Sequence, residues 1–262
     1  MATYKKRGYK PKKVVEDVVD DVDYDKIEEN STTAEVFNTL DEGASKTEEW
    51  VAANQKYILG GVGIIAIVIL GYLGFQKFYQ GPKEEEAANE MFKAQEYFDN
   101  AVNGNSTVRD SLYTLALNGG EGKYGFLEII ENYGSTDAGN LANYYAGFSY
   151  LNMNKYQEAI NYLDKFKSDD EMLAPLALGG IGDAFSQLDQ VDEALTYYEK
   201  AAKLKSNNYT TPKFLLKAAI TAIALNKPEV ALPYLEQIKE EFPKSVEANQ
   251  VDVHLGKAQA MK

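Results

Sequence analysis

The apolar positions of this chain fall into three regimes. Residues 1–31 hold few large apolar groups, residues 57–76 hold little else, and from residue 84 onward apolar side chains recur at helical spacing. The middle regime, YILGGVGIIAIVILGYLGFQ, runs from Tyr57 to Gln76 without a charge and is closed by Lys56 and Lys77. A bilayer core of roughly 30 Å takes about 20 residues at 1.5 Å each, so the pattern predicts one transmembrane helix over 57–79. Trp50 and Tyr57 before it, and Phe78 and Tyr79 after it, suit the headgroup level of a lipid bilayer. The late start and the lack of an Ala-x-Ala site argue against a cleaved signal, so the span is expected to remain as an anchor. Inside it Gly60, Gly63, Gly71 and Gly74 share one arc with Ile67, a transmembrane helix contact face for a second helix. The alternative is that glycine is common in membrane helices anyway.

Ahead of the span, Ser31 or Thr32 with Glu35 reads as a capping box. Phe37, Leu40, Ala44, Trp50 and Val51 then give a weak apolar stripe. Together they predict a juxtamembrane helix over 32–56, lying in the interface or continuing into the span, with Gly43 as an interruption. Past the span, Gly81-Pro82 is expected to break the helix. Ala87, Met91, Ala94, Tyr97, Phe98 and Ala101 follow a 3.6 period after the acidic first turn Glu84–Glu86. A second helix is expected around Thr107–Leu117, then a glycine-rich turn, NGGEGKYG, then a third helix over Phe126–Tyr133.

Beyond Asp137 the chain repeats itself. Gly147 aligns with Gly182 and Ala159 with Ala194 at an offset of 35, and Ala231 takes the latter slot 37 residues later. Each unit reads as two helices joined by a short turn, the signature of a helical solenoid. In NLANYYAGFSYLNMNKYQEAINYLDKF the slots are Ala146-Gly147, Tyr150, Tyr156, Ala159, Leu163 and Phe166. In the next unit they are Ile181-Gly182, Phe185, Ala194, Tyr198 and Ala201; in the third, Ala218-Ala219, Ala222, Ala231, Leu235, Ile238 and Pro243. Position by position these units resemble the tetratricopeptide repeat family. The third departs from it, with Ala219 for glycine and Pro228 where an aromatic usually marks the turn. The resemblance implies an all-α fold, a single transmembrane helix followed by a tetratricopeptide-type helical solenoid over 84–262, closed by a helix near Ser245–Lys262.

In that family the first helix of each pair lines a partner groove. The resemblance therefore implies groove positions Leu141, Tyr144, Phe148 and Leu151 in the first unit. It implies Leu176, Gly179, Asp183 and Gln187 in the second, and Lys213, Leu216, Ile220 and Ile223 in the third. These are mostly apolar, as a groove for client polypeptides requires, unless a neighbouring repeat or the 84–101 helix covers them. The layout of tail, single span and array is also similar to the YfgM-type ancillary subunits of the bacterial SecYEG translocon. That likeness implies a bacterial inner-membrane protein with a cytoplasmic N-terminus and a periplasmic array. Its partners would be SecYEG and a membrane-anchored prolyl isomerase chaperone.

Charge adjusts this picture in three places. The tail has a basic block at 5–13 and an acidic one at 16–29, too little apolar surface for a core, so 1–31 reads as a disordered charged tail. Val14, Val15, Val18, Val19 and Val22 offer a docking face there as the sharper alternative. The formal charge is −13 from 27 basic and 40 acidic residues, and such acidity argues against nucleic acid as a partner. Near the span, Lys46 and Lys56 stand against Lys77, Lys83 and Lys93, so the positive-inside rule leaves orientation open. No catalytic constellation is visible, and no cofactor is expected: there is no cysteine, and His254 is the one histidine. The acidic trio Asp169, Asp170 and Glu171 lacks calcium-loop spacing and reads as a solvated helix end.

Overall fold

A computed structural model describes the backbone from residue 32 and the side chains from Thr47 to Lys262. The tail and capping-box expectations fall outside the described residues. Two compact units divide at Gly71–Tyr72. The first holds most of helix α1 (Thr32–Phe75), which runs 44 residues without interruption at Gly43. Its apolar stretch from Tyr57 onward is exposed, and among the described residues it is one helix long and apolar enough to cross a membrane.

The second unit begins in unbroken helix, against the sequence expectation. Gly81-Pro82 does not break the chain: a π turn, Gln76–Gln80, leads straight into α2 (Gly81–Asn103) with Gly81 in ordinary helical geometry. A proline ring collides with the carbonyl four residues back in an α-helix. The wider π turn, closed by Gly81 N–H on Gln76 O, moves those carbonyls aside just before Pro82. Helices α3 (Ser106–Asn118) and α4 (Phe126–Tyr133) follow, joined by the expected turn, where Gly119 and Gly122 take positive φ. Phe98, Phe126 and Tyr145 knit this part together, with ring centroids 5.1–6.3 Å apart.

Three helix pairs then stack as the period requires. They are α5 (Asp137–Asn152) with α6 (Tyr156–Leu163), α7 (Leu173–Gln187) with α8 (Val191–Leu204), and α9 (Thr210–Ala224) with α10 (Pro228–Glu241). A last helix, α11 (Ala248–Ala260), covers the final pair through the fully buried Val251. The small slots work by close approach. A Cβ on Gly147 would lie 2.5 Å from Leu163 Cγ, and one on Gly182 2.7 Å from the Tyr198 ring. Ala159, Ala194, Ala219 and Ala231 are all 0% exposed. Each A–B turn ends its first helix the same way: Asn154, Asp189 and Asn226 take φ of 59°, 57° and 56°. The next amide reaches back to Tyr150 O, Phe185 O or Ala222 O at 2.9–3.0 Å, a left-handed helix stop that satisfies an orphan carbonyl.

The start of α5 is tied to α2. Thr136 Oγ1 accepts from Gly139 N, and the Glu84 carboxylate accepts from Asp137 N at 2.7 Å and Ala138 N at 2.9 Å. Gln80 Nε2 donates to Ser135 O and Lys83 Nζ to Ser135 Oγ. An acid from one helix thus caps and charge-balances the positive end of another.

Candidate partner groove

The outward stripe of each first helix is fixed by which neighbours it touches. On α5, Leu141, Tyr144, Phe148 and Leu151 are half-buried, each packed against core on one side. The Tyr144 ring lies 4.7 Å from Phe148 and 5.2 Å from Phe166, centroid to centroid, and Phe148 leans on Gly180 of α7. These aromatics therefore join the first two units as well as lining the surface. On α7, Leu176 is half-buried against the core and Gln187 is exposed. Gly179 is not a groove position: it is buried, and the Phe214 ring of α9 fills the space its side chain would take.

The third unit shows a shifted register. Lys213 and Ile220 are exposed, but Leu216 and Ile223 are buried in the core at 6% and 4% exposure. The outward stripe of α9 is Lys213, Lys217, Ile220 and Ala224, at helical spacing. Leu216 and Ile223 each stand one residue from it, a rotation of about 100° toward the neighbouring helices. Lys217 was the residue missed; its spacing of 34 from Asp183 and four from Lys213 was available in the sequence.

Asp183 and Lys217 are brought together in a cleft of about 480 Å³ that also holds Leu151, Asn152, Asn154, Tyr156, Ser186, Gln187 and Tyr198. Asp183 Oδ1 accepts from Lys217 Nζ and, at 2.7 Å, from the Tyr198 hydroxyl, and Lys217 sits 5.4 Å from the Tyr198 ring centre. Burial first, then the Asp183 charge, pushes the Tyr198 hydroxyl far up, so it stays a hydrogen-bond donor. Tyr156 Oη lies 2.9 Å from Asn154 Oδ1 and 3.3 Å from Gln187 Oε1. The cleft thus offers amides, tyrosine hydroxyls and an internally paired charge. Such groups can bind and orient a polypeptide segment.

Charge is segregated by helix. The first helices carry Asp137 and Asp183 against Lys213 and Lys217, whereas α6, α8 and α10 carry eight acids against three bases. The acidity therefore lies mainly away from the groove. Asp170, from the acidic trio, is used internally: Oδ1 accepts from Leu173 N and Met172 N at 2.8 Å, bonds that favour the charged carboxylate and hold its pKa below the ordinary aspartate value. His254 is half-buried on α11.

Comparison with known proteins agrees with these three pairs. Models of the tetratricopeptide repeat match residues 141–170, 177–208 and 214–245, which fall on α5–α6, α7–α8 and α9–α10 respectively. The chain is also similar to the TPR repeat-containing protein MJ0263 of Methanocaldococcus jannaschii, at 34% identity over 113 residues. That match covers 40% of this chain and spans 32% of the relative's length. The array is a tetratricopeptide-type solenoid, a fold whose general use is protein–protein interaction.

Proposed function

We propose that this chain is a membrane-anchored, non-catalytic interaction scaffold whose first-helix face captures partner or client polypeptides. The observation that carries this reading is the Asp183–Lys217 cleft, lined also by Leu151 of the helix that bears Tyr144 and Phe148, on repeat units of an interaction fold. Extended or helical segments would place apolar side chains on Tyr144 and Phe148 and backbone groups on the amides. In this reading residues 57–79 are the span, 32–56 the juxtamembrane helix and 84–262 the interaction domain. Among the described residues nothing lies within 4 Å of a Cβ on Gly60, Gly63, Gly71 or Gly74, which leaves that face open to a helix of another molecule, a second copy included.

The finer assignment is an accessory, chaperone-like subunit of a secretion translocon, with the array in the periplasm and SecYEG and a prolyl isomerase chaperone as partners. The layout of tail, span and array supports it. The near-even lysine balance, Lys77, Lys83 and Lys93 against Lys46 and Lys56, leaves room for a second reading, a tethered adaptor with cytoplasmic repeats. One experiment separates them: a tag at Lys262, mild-detergent capture from native membranes, and the same capture with Ile220→Asp. Translocon subunits lost with the variant support the first reading. Cytoplasmic proteins lost with it support the second. Partners retained in full by the variant exclude the groove.

A further inference from the structure

The last helix continues the series of first helices. A shift of 37 residues, the spacing from Ala194 to Ala231, lays α9 on α11, and burial follows it position by position. Phe214 falls on Val251 and Thr221 on Ala258, all four buried. Ala219 falls on Gly256, the small slot of each unit. The outward stripe of α9, Lys213, Lys217 and Ile220, falls on Gln250, His254 and Lys257. In both helices the first and third of these are exposed and the second is half-buried. Helix α11 is therefore a fourth first helix, and it gives the groove a further wall that the three-unit pattern did not include.

Charge on this stripe runs against that of the chain. Along it, on α7, α9 and α11, stand Lys213, Lys217 and Lys257 against one acid, Asp183, in a protein of formal net charge −13. Asp183 is already engaged by Lys217 and the Tyr198 hydroxyl. The one acid within α11, Asp252, accepts from Lys239 of α10 at 2.7 Å. Among the described residues neither Lys213 nor Lys257 forms an ion pair. Ile220, 39% exposed, lies two turns along α9 from Lys213 and in register with Lys257. We propose that the α9–α11 end of the groove takes an acidic amphipathic segment of a partner polypeptide, with carboxylates on Lys213 and Lys257 and an apolar side chain on Ile220. Charge complementarity selects this occupant. A basic segment would face free ammonium groups, and a purely apolar one would cover them without supplying partners. The acids of α8 and α10 sharpen the choice, because they repel such a segment from the second-helix side. The proposal rests on the interaction-groove reading and adds the chemistry of the partner.

The test uses the full chain in nanodiscs of zwitterionic lipid. The probes are short fluorescent peptides of glutamate and leucine at amphipathic helical spacing, with glutamine and lysine counterparts, and binding is read by anisotropy. The glutamate peptide is expected to bind about tenfold tighter than the glutamine one, with the gap shrinking as salt rises and the lysine peptide weakest. Lys213→Gln with Lys257→Gln should remove most of that preference. Lys203→Gln with Lys244→Gln, the same change of charge away from the stripe, should leave it in place. All four lysines are exposed, so neither double variant disturbs the core. A preference untouched by the first double variant overturns the placement on α9 and α11. Absence of binding, or equal affinity for the glutamate and glutamine peptides, overturns the acidic partner, while loss of membrane partners with Ile220→Asp would still uphold the groove. Membrane partners retained in full by Ile220→Asp overturn the groove reading itself, a separate failure.

Discussion

Single atoms set the packing tolerance of this array, and glycine shows it most sharply. Gly179 gives its side-chain space to Phe214, so Gly179→Ala is expected to cost about 1–3 kcal/mol or more, read as a lower denaturation midpoint. Gly256, inside α11, has nothing within 4 Å of a Cβ, and Gly256→Ala should instead gain about 0.5–1 kcal/mol from helix propensity. Equal effects of the two would refute the close-packing account. Tyrosines supply a second residue-scale expectation. Burial, then Tyr145 and Asp170, pushes the Tyr144 hydroxyl up to about 12; burial, then Glu199, does the same for Tyr234. A folded value raised above the ordinary 10.0 means the folded state keeps its proton longer. That stability is complete below the ordinary value and drains away as pH climbs through about 12. Melting temperature followed with tyrosinate absorbance should fall across that window, and Tyr144→Phe should make the fall shallower.

At the scale of elements, the strongest local device is a helix capped by a side chain from elsewhere. Glu84→Ala removes the acceptor of two amides at the start of α5 and should cost about 1 kcal/mol, as N-cap losses do. Hydrogen exchange at Asp137 and Ala138 should quicken, while amides of α9 stay protected; unchanged exchange would refute the cap. No sequence pattern announced this contact, because Glu84 and Asp137 are 53 residues apart. Periodicity, by contrast, was enough to place Phe126–Tyr133 to the residue and Ser106–Asn118 to within one at each end. Where one helix meets only its near neighbours, spacing carries the information. Gly81-Pro82 was misread because a π turn depends on where upstream carbonyls can go, which composition does not encode. The third groove stripe was misread for a related reason. Leu216 and Lys217 fit the period equally well, and only packing against the adjoining helices decides which turns outward.

Across the whole molecule, the repeat unit buries its faces against neighbours, so the ends need covers. The α11 helix supplies one through Val251 and Ala258, both essentially inaccessible and packed into the last core cluster. Truncation after Ser245 should lower the melting temperature and raise light scattering, since solenoids without a terminal cap expose their stacking surface. A truncated chain as stable and monodisperse as the full one would show that α10 ends the array by itself. The three A–B turns hold a further implication. Asn154, Asp189 and Asn226 share a left-handed φ to within three degrees, each turn sealed by the same backward hydrogen bond. A chain cut at one of these residues and rejoined at another would meet the same left-handed φ and the same closing hydrogen bond. Whole modules can then be duplicated or lost by recombination without redesigning a joint. The reach of such an array is therefore countable, changing by one whole helix pair at a time.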